Sequence, residues 1–230
     1  MSLGNLVRMV CFAVLCANAG QAQAGIISAF DRGWYDSSGF HDPTNQNYVA
    51  SIPVTSFRGP TRNFFVFNLG AFSTSEIITS ASLRLFNPIQ NTFFGTYTVY
   101  DVSTSIPSLT GGGFGLVATY NDLGTGTSYA TQAITSADAG TFVTVNLNAA
   151  GLSALNASRG GTFATGGTWS SSTPNSHVFG FNFAGNLNDS SLVYETSAIP
   201  EPASLALSCI GALGVGLVAR RRARTYLQCK

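Results

Sequence analysis

The sequence predicts a mainly β protein. Its central part is expected to fold as a jelly-roll-like β-sandwich with one short helix, between an N-terminal signal peptide and a C-terminal transmembrane helix. The first observation is that short runs of β-branched and aromatic residues alternate with turns rich in Gly, Asn, Ser and Pro. The second is a short apolar run that ends in small residues near the N-terminus. The third is a longer uncharged run followed by arginines near the C-terminus.

The predicted strands are short and show the period-two alternation of a sheet with one buried face. Residues 62–69 illustrate the pattern, because Phe65, Phe67 and Leu69 fall on the same side of the strand. Spacing of this kind, with polar turns between the strands, is typical of a sandwich. The predicted strands are 62–69, 81–86, 96–102, 116–120, 129–134, 141–147, 161–165, 177–183 and 191–196.

One helix is predicted at 149–157. Asn148 precedes it as a capping residue, and Gly160 with Gly161 ends it. Leu152 and Leu155 are three positions apart, so one face of the helix can pack on a sheet edge. The segments 109–114 and 166–176 are rich in Gly, Ser and Thr and are predicted to be loops.

Residues 1–24 have the features of a secretory signal peptide. Arg8 provides a positive charge, 9–17 is apolar, and small residues follow. We expect cleavage after Ala24, which leaves Gly25 at the start of the first strand and makes 25–198 the exported domain. A second set of small residues at Ala17 and Ala19 is the alternative site, and retention as an uncleaved anchor is a further alternative.

The segment 199–224 has three parts in a fixed order. Pro200, Glu201 and Pro202 come first, and the uncharged run 203–219 follows. As a helix, this run would be about 25 Å long, close to a bilayer core of about 30 Å. A buried core helix is the alternative, but it would lack a polar face and would end among arginines. The arginine cluster consists of Arg220, Arg221, Arg222 and Arg224, and 225–230 forms a short tail.

Charge and cysteine content agree with an exported domain. Residues 25–199 hold five arginines, no lysine and nine carboxylates, a formal net charge of −4, so they offer no basic face for nucleic acid. The arginine cluster lies where cytoplasmic residues are expected next to a membrane span. All four cysteines lie outside 25–199, so the domain has no disulfide and depends on packing.

Residue patterns in the domain do not point to catalysis. It has two histidines, His41 and His177, but no Gly-x-Ser-x-Gly elbow, no Cys/His set with zinc spacing and no lysine for a phosphate-binding loop. Asp31, Asp36 and Asp42 are close in sequence and could supply a carboxylate pair, although acids are common in surface loops. We therefore expect a protein that is not an enzyme and needs no cofactor.

Residues 31–48 interleave aromatic side chains with acids and amides. Aromatic faces can stack on sugar rings while carboxylates and amides bind hydroxyls, and the oxygens could instead bind calcium. The alternative is a packed loop whose aromatic side chains fill the end of the sandwich and whose acids form Asx-turns. The candidate glycan contacts are Trp34, Tyr35, Asp36 and Tyr48.

The order of Pro200-Glu201-Pro202, the apolar run and the arginine cluster resembles the PEP-CTERM sorting signal of Gram-negative bacteria. The resemblance implies recognition by an exosortase, a membrane-embedded transpeptidase that cuts at or near the tripeptide. It also implies anchoring in the inner membrane before processing, and later delivery to the cell surface or the exopolysaccharide matrix. Members usually end soon after the arginines, whereas this chain continues for 225–230.

The exported region is similar to jelly-roll modules of the carbohydrate-binding type. The matching stretches are 62–67, 80–85 and 97–102, together with the strand and helix around 141–157. Some such modules bind glycans, and others are structural domains. The sequence therefore leaves three functions: a structural or interaction protein of the surface or matrix, a glycan-binding module with the same destination, and a secreted hydrolase, which the missing catalytic residues disfavour.

Overall fold

The computed structural model describes residues 23–52, 59–72, 75–88, 94–180 and 189–199. They belong to two compact units. The larger one contains the described residues of Gln23–Thr74 and Ile78–Thr196. The other contributes Ser75–Ile77 and 197–199, where the amide of Ile199 donates to the Ser75 carbonyl at 2.7 Å.

Strands dominate the described residues, which confirms the mainly β prediction. The strands are β1 (Gln23–Ser28), β2 (Asp31–Asp36), β3 (Ala50–Ser51), β4 (Thr61–Asn68), β5 (Glu76–Asn87), β6 (Gly95–Tyr100), β7 (Ser128–Ile134), β8 (Thr141–Asn146), β9 (Thr162–Ser170), β10 (His177–Val178) and β11 (Ser190–Ala198). The helices are α1 (Ile106–Gly111), α2 (Val117–Asp122) and α3 (Ala149–Ala157), with a 3-10 turn at Ser136–Asp138.

The strands form two sheets. The smaller sheet has the order β1-β11-β5-β8, and the larger has the order β10-β3-β4-β9-β6-β7, with β2 paired to β4. Many neighbours are distant in sequence: β1 pairs with β11 from Gln23↔Thr196 to Ser28↔Ser191. The first and last strands of the described chain therefore lie side by side.

A single hydrophobic cluster takes side chains from both sheets. Phe65 and Phe67 enter it from β4, and Leu83 and Leu85 enter it from β5, all with no exposed surface. Leu69 joins them, so the predicted inward face of 62–69 is confirmed. Alternation at a period of two sends one side of each strand into this shared core.

The other face of β4 is buried as well. Phe64 and Val66 point away from the first cluster and belong to a second one. This second cluster also contains residues of α1 and α2 together with Leu123. The larger sheet therefore lies between two hydrophobic layers. Members of the second cluster are Tyr35, Phe64, Val66, Leu109, Tyr120 and Leu123.

The helices that form this second layer contradict part of the sequence prediction. The predicted strand at 116–120 is wrong, because those residues belong mostly to α2, and the predicted loop at 109–114 overlaps α1. The prediction of one short helix is therefore wrong too. The physical reason is that Tyr120 and Leu123 lie three positions apart and both pack on the outer face of β4. The five-residue segment 116–120 is too short to show this helical spacing.

β9 extends through Gly166 and Gly167, where a loop was predicted. A β-carbon at Gly166 would collide with the main chain of Leu123, and one at Gly167 would collide with the side chains of Tyr97 and Asn63. These glycines therefore permit close packing on both faces of the strand rather than a turn.

The predicted helix at 149–157 is confirmed as α3. The Asn148 side chain accepts a hydrogen bond from the Gly151 amide at 3.0 Å, as expected of a capping residue. Leu155 is fully buried in the core, and Leu152 packs against it. The prediction that Leu152 and Leu155 form a packing face is therefore confirmed for this helix.

Within the described ranges, no helix is long and apolar enough to cross a membrane. The predicted transmembrane helix at 203–219 lies outside those ranges, as does most of the predicted signal peptide. Gln23 and Ala24, its last two residues, lie in β1.

Candidate functional site

The acids of the 31–48 segment organise local turns. Asp36 Oδ1 accepts hydrogen bonds from the Ser38 amide at 2.9 Å and the Phe40 amide at 3.1 Å. Asp42 Oδ1 accepts from the Thr44 hydroxyl at 2.7 Å and from its amide at 2.9 Å. The hydrogen bond from the Thr44 hydroxyl lowers the pKa of Asp42 most, and the bond from the Thr44 amide lowers it further. Both acids thus make the Asx-turns of the packed-loop alternative.

Three of the four candidate glycan contacts are inside the domain. Tyr35 and Tyr48 have no exposed surface, and Asp36 is 1% exposed. The Tyr35 hydroxyl donates to the Leu109 carbonyl at 2.7 Å, and the Tyr48 hydroxyl donates to the Asp189 carbonyl at 3.0 Å. A sugar ring cannot reach these side chains in this structure, so the predicted four-residue contact surface is corrected. Trp34 alone among the four is partly exposed.

A buried arginine explains how this segment is held to the sheets. Arg32 has no exposed surface, and its Nε donates to the Gln46 carbonyl at 3.0 Å. Its Nη1 donates to Ser190 Oγ at 2.9 Å, and its guanidinium lies 4.7 Å from the centre of the Tyr48 ring. Burial lowers the pKa of Arg32. The segment is therefore tied to β11 by a desolvated cation.

His41 is also a packing residue. It is 3% exposed, and its ring centre lies 4.7 Å from that of Tyr35 and 5.2 Å from that of Phe64. Its Nδ1 lies 3.0 Å from the Trp34 carbonyl oxygen, and burial lowers its pKa. Among the described residues, no group of three or more His, Cys, Asp or Glu side chains is placed to hold a metal ion.

The sequence did not reveal a row of rings at the surface, which we call the aromatic row: the partly exposed Trp34 and Phe40 and the exposed Phe114. The ring centres of Trp34 and Phe40 are 6.2 Å apart, and those of Phe40 and Phe114 are 4.8 Å apart. Phe114 is 73% exposed. Main-chain hydrogen bonds between His41 and Gly113 bring the distant segments together, and no local pattern signals that contact.

A half-open cavity of about 300 Å³ lies where α2 ends beside β3, β4 and β9. We call it the Arg62 cavity. Arg62 is the only charged residue among the described residues that line it, and hydroxyl, aromatic and apolar side chains make up the rest of the described wall. The lining residues are Ser51, Ile52, Pro60, Thr61, Arg62, Tyr120, Gly124, Thr168 and Trp169.

The predicted sorting residues follow directly after the fold. β11 ends at Ala198, and the Ile199 amide still donates to the main chain at Ser75. Pro200, Glu201, Pro202 and the arginines Arg220, Arg221, Arg222 and Arg224 lie outside the described residues. One residue therefore separates the last strand from the proline-flanked tripeptide.

Comparison with protein families identifies this C-terminal segment. Residues 198–222 match the PEP-CTERM protein-sorting motif, so the predicted sorting signal is confirmed. The match implies that an exosortase recognises the chain and that the protein is sorted out of the cell. A search of curated proteins found no match to the chain.

Proposed function

We propose that this protein is a structural or interaction component of the cell surface or exopolysaccharide matrix, delivered there by exosortase processing. The observation that carries the proposal is the motif at 198–222, which starts on the last residue of β11. Removal of the chain beyond that strand would release a domain that retains both sheets. Before processing, the helix at 203–219 would anchor the protein in the inner membrane, with its arginines in the cytoplasm.

The physical role of the tripeptide follows from its two prolines. Pro200 and Pro202 fix their φ angles and have no N–H, so the chain there cannot join the helix that follows. Glu201 would be presented on a stiff, extended segment just outside the bilayer. A membrane-embedded protease needs such an accessible segment at a fixed height, which the anchor sets.

The test is to change the tripeptide alone in a host that contains an exosortase. We expect Glu201→Ala and Pro202→Ala to leave export and folding intact while the uncleaved form accumulates in the inner membrane. Fractionation and immunoblotting measure both. As a control, deletion of 203–230 removes the anchor and is expected to release the domain into the periplasm. Wild-type processing and location of both point variants would refute the sorting role of the tripeptide.

Glycan binding is the second candidate function, and the aromatic row, which is partly exposed, favours it. Trp34, Phe40 and Phe114 present neighbouring rings at the surface, and such faces can stack on sugars. The proposal moves the contact away from the buried Tyr35, Asp36 and Tyr48. It fits a jelly-roll assignment of the domain and includes no catalytic step, cofactor or bound calcium.

A glycan array probed with the exported protein tests this candidate. Phe114→Ala removes the most exposed ring of the row and is expected to abolish any glycan signal. Phe94→Ala is the matched control, because Phe94 is 58% exposed but lies outside the row. Equal loss in both variants, or no signal for the wild type, would leave the structural role as the proposed function.

A further inference from the structure

We propose that the Arg62 cavity is a binding site for a carboxylated sugar unit. The site is separate from the aromatic row and from the sorting motif, and the inference goes beyond the proposed function of either. It rests on three properties of the cavity: a guanidinium held in one orientation, donor groups left for a ligand, and a wall that suits a sugar ring.

The guanidinium of Arg62 is held in place by the protein. It lies 4.3 Å from the centre of the Tyr120 ring. Its Nη1 donates to the Tyr120 and Asn121 carbonyls, each at 3.0 Å, at the C-terminal end of α2. The Tyr120 carbonyl is one that a helix end leaves without an intrahelical partner, whereas the Asn121 carbonyl also accepts from the Gly124 amide and the Thr125 hydroxyl. A ligand would therefore bind a guanidinium that the fold has already ordered, so binding would lose little side-chain conformational entropy.

Gly124 shows how closely the cation is packed. A β-carbon at this position would lie 2.6 Å from Arg62 Cζ and 2.5 Å from Thr168 Cγ2. Only glycine leaves room for the guanidinium at this point. The chain after α2 therefore keeps Arg62 beside the cavity.

The protein leaves part of the donor set of Arg62 for a ligand. Both hydrogen bonds to carbonyls use Nη1, and within the described ranges no carboxylate forms an ion pair with Arg62. The nearby hydroxyls of Ser51 and Thr61 bond to each other at 2.9 Å, so they are already partnered. The Tyr120 hydroxyl is a further hydrogen-bond partner of the guanidinium. The other N–H groups on Nε and Nη2 are left to bind an anion.

The chemistry of the wall narrows the ligand class. A planar guanidinium matches a carboxylate in a two-bond geometry. One cation suits a singly charged group better than a phosphate dianion, and the net charge of −4 over 25–199 disfavours highly charged polyanions. Ile52 and Pro60, which are both partly exposed, add apolar surface that the C–H face of a pyranose ring can contact, whereas Trp169 is only 6% exposed and adds little. The volume is at the lower limit of small-molecule sites, which fits one sugar unit.

Calorimetric titration of the full-length chain in detergent micelles tests the site. The probes are glucuronate, glucose and acetate, which carry the ring with the carboxylate, the ring alone and the carboxylate alone. We expect glucuronate to bind at least about tenfold more tightly than either of the others, because only it uses both the cation and the wall. Equal affinity for glucuronate and glucose, or no binding of glucuronate, would overturn the proposal. Acetate binding as tightly as glucuronate would also overturn it, because the site would then be a simple anion site.

Variants assign the binding to this cavity. Arg62→Gln is expected to abolish glucuronate binding, and Arg62→Lys, which keeps the charge but not the planar donors, should weaken it about tenfold. Arg84→Gln makes the same charge change on the other sheet and should have no effect. Since Arg62 also caps α2, Gly124→Ser provides a second route, because its side chain would displace the guanidinium without removing it. Unchanged binding in Arg62→Gln and Gly124→Ser would refute the site. Since the titration uses unprocessed chain, its failure leaves the sorting proposal unaffected.

Discussion

Tyr97→Phe removes one hydroxyl from the centre of the core and tests the account of its buried polar groups. The Tyr97 hydroxyl donates to Asn63 Oδ1 at 2.7 Å, and Asn63 Nδ2 donates to the Tyr48 carbonyl at 2.8 Å. All three side chains have no exposed surface. In the variant, the ring remains in place, but Asn63 Oδ1 is left without a donor and without water.

The magnitude follows from that orphaned oxygen. Leaving a buried acceptor unsatisfied costs about 1–3 kcal/mol. For a domain of this size, each kcal/mol lowers Tm by about 2–4 °C, so the expected decrease is about 2–12 °C. A cavity adds little to this destabilisation, because phenylalanine retains every ring atom of tyrosine.

Urea denaturation and thermal melting of the exported protein measure the effect. Tyr100→Phe is the matched control: Tyr100 lies on the same strand and is partly exposed, and its hydroxyl has no hydrogen-bond partner among the described residues. We expect the control to change the free energy of unfolding by less than about 0.5 kcal/mol. If Tyr97→Phe were no more destabilising than Tyr100→Phe, Asn63 would have another donor and the reasoning would be refuted.

Two further changes probe the same core. Gly167→Ala would place a methyl group against the side chains of Tyr97 and Asn63, so the free energy of unfolding should fall by about 1–3 kcal/mol; Gly111→Ala, where a β-carbon meets no atom within 4 Å, is the control in urea titrations. Burial raises the pKa of Tyr35 to about 12, while its unfolded value is near 10. The unfolded state therefore loses its proton first, and stability should decline as pH rises from about 10 to about 12. Urea midpoints across that range measure the decline. Tyr35→Phe should make it shallower, while Tyr48 and Tyr97, whose pKa values burial also raises, continue to contribute. An unchanged slope would contradict the prediction.

Elements whose signals are local could be predicted from the sequence. The alternation of Phe65, Phe67 and Leu69 identified both the strand β4 and its inward face. Asn148 and the leucines of α3 likewise identified a helix within the residues that form it. Hydrophobic period and helix capping are properties of neighbouring residues in the sequence. They can therefore be recognised without knowing which distant residues pack against the element.

Features that depend on distant contacts could not be predicted. The apolar residues of α2 predict a strand when taken alone, because only their contact with the outer face of β4 shows which of them are buried together. Gly166 and Gly167 are typical of a loop in sequence, although distant side chains and main chain require their small size. The same limitation applies to the candidate site. The composition of 31–48 suggests sugar contact, but the Tyr35 and Tyr48 hydroxyls bond to the distant Leu109 in α1 and to Asp189, the residue before β11.

The position of β11 connects the fold to the sorting motif. This strand lies between β1 and β5, and β1 has no other partner among the described strands. In the proposed export route, the smaller sheet can therefore be completed only after 190–198 has crossed the membrane, and the motif begins at the last of these residues. A cut within β11 would remove a central strand, whereas a cut after Ala198 would leave every β1–β11 pair intact. Cleavage after Ala24 would remove the pairs that Gln23 and Ala24 make with Thr196 and Glu195 but would keep the remaining pairs of β1. We therefore expect exosortase processing that preserves the fold to cut after the end of β11.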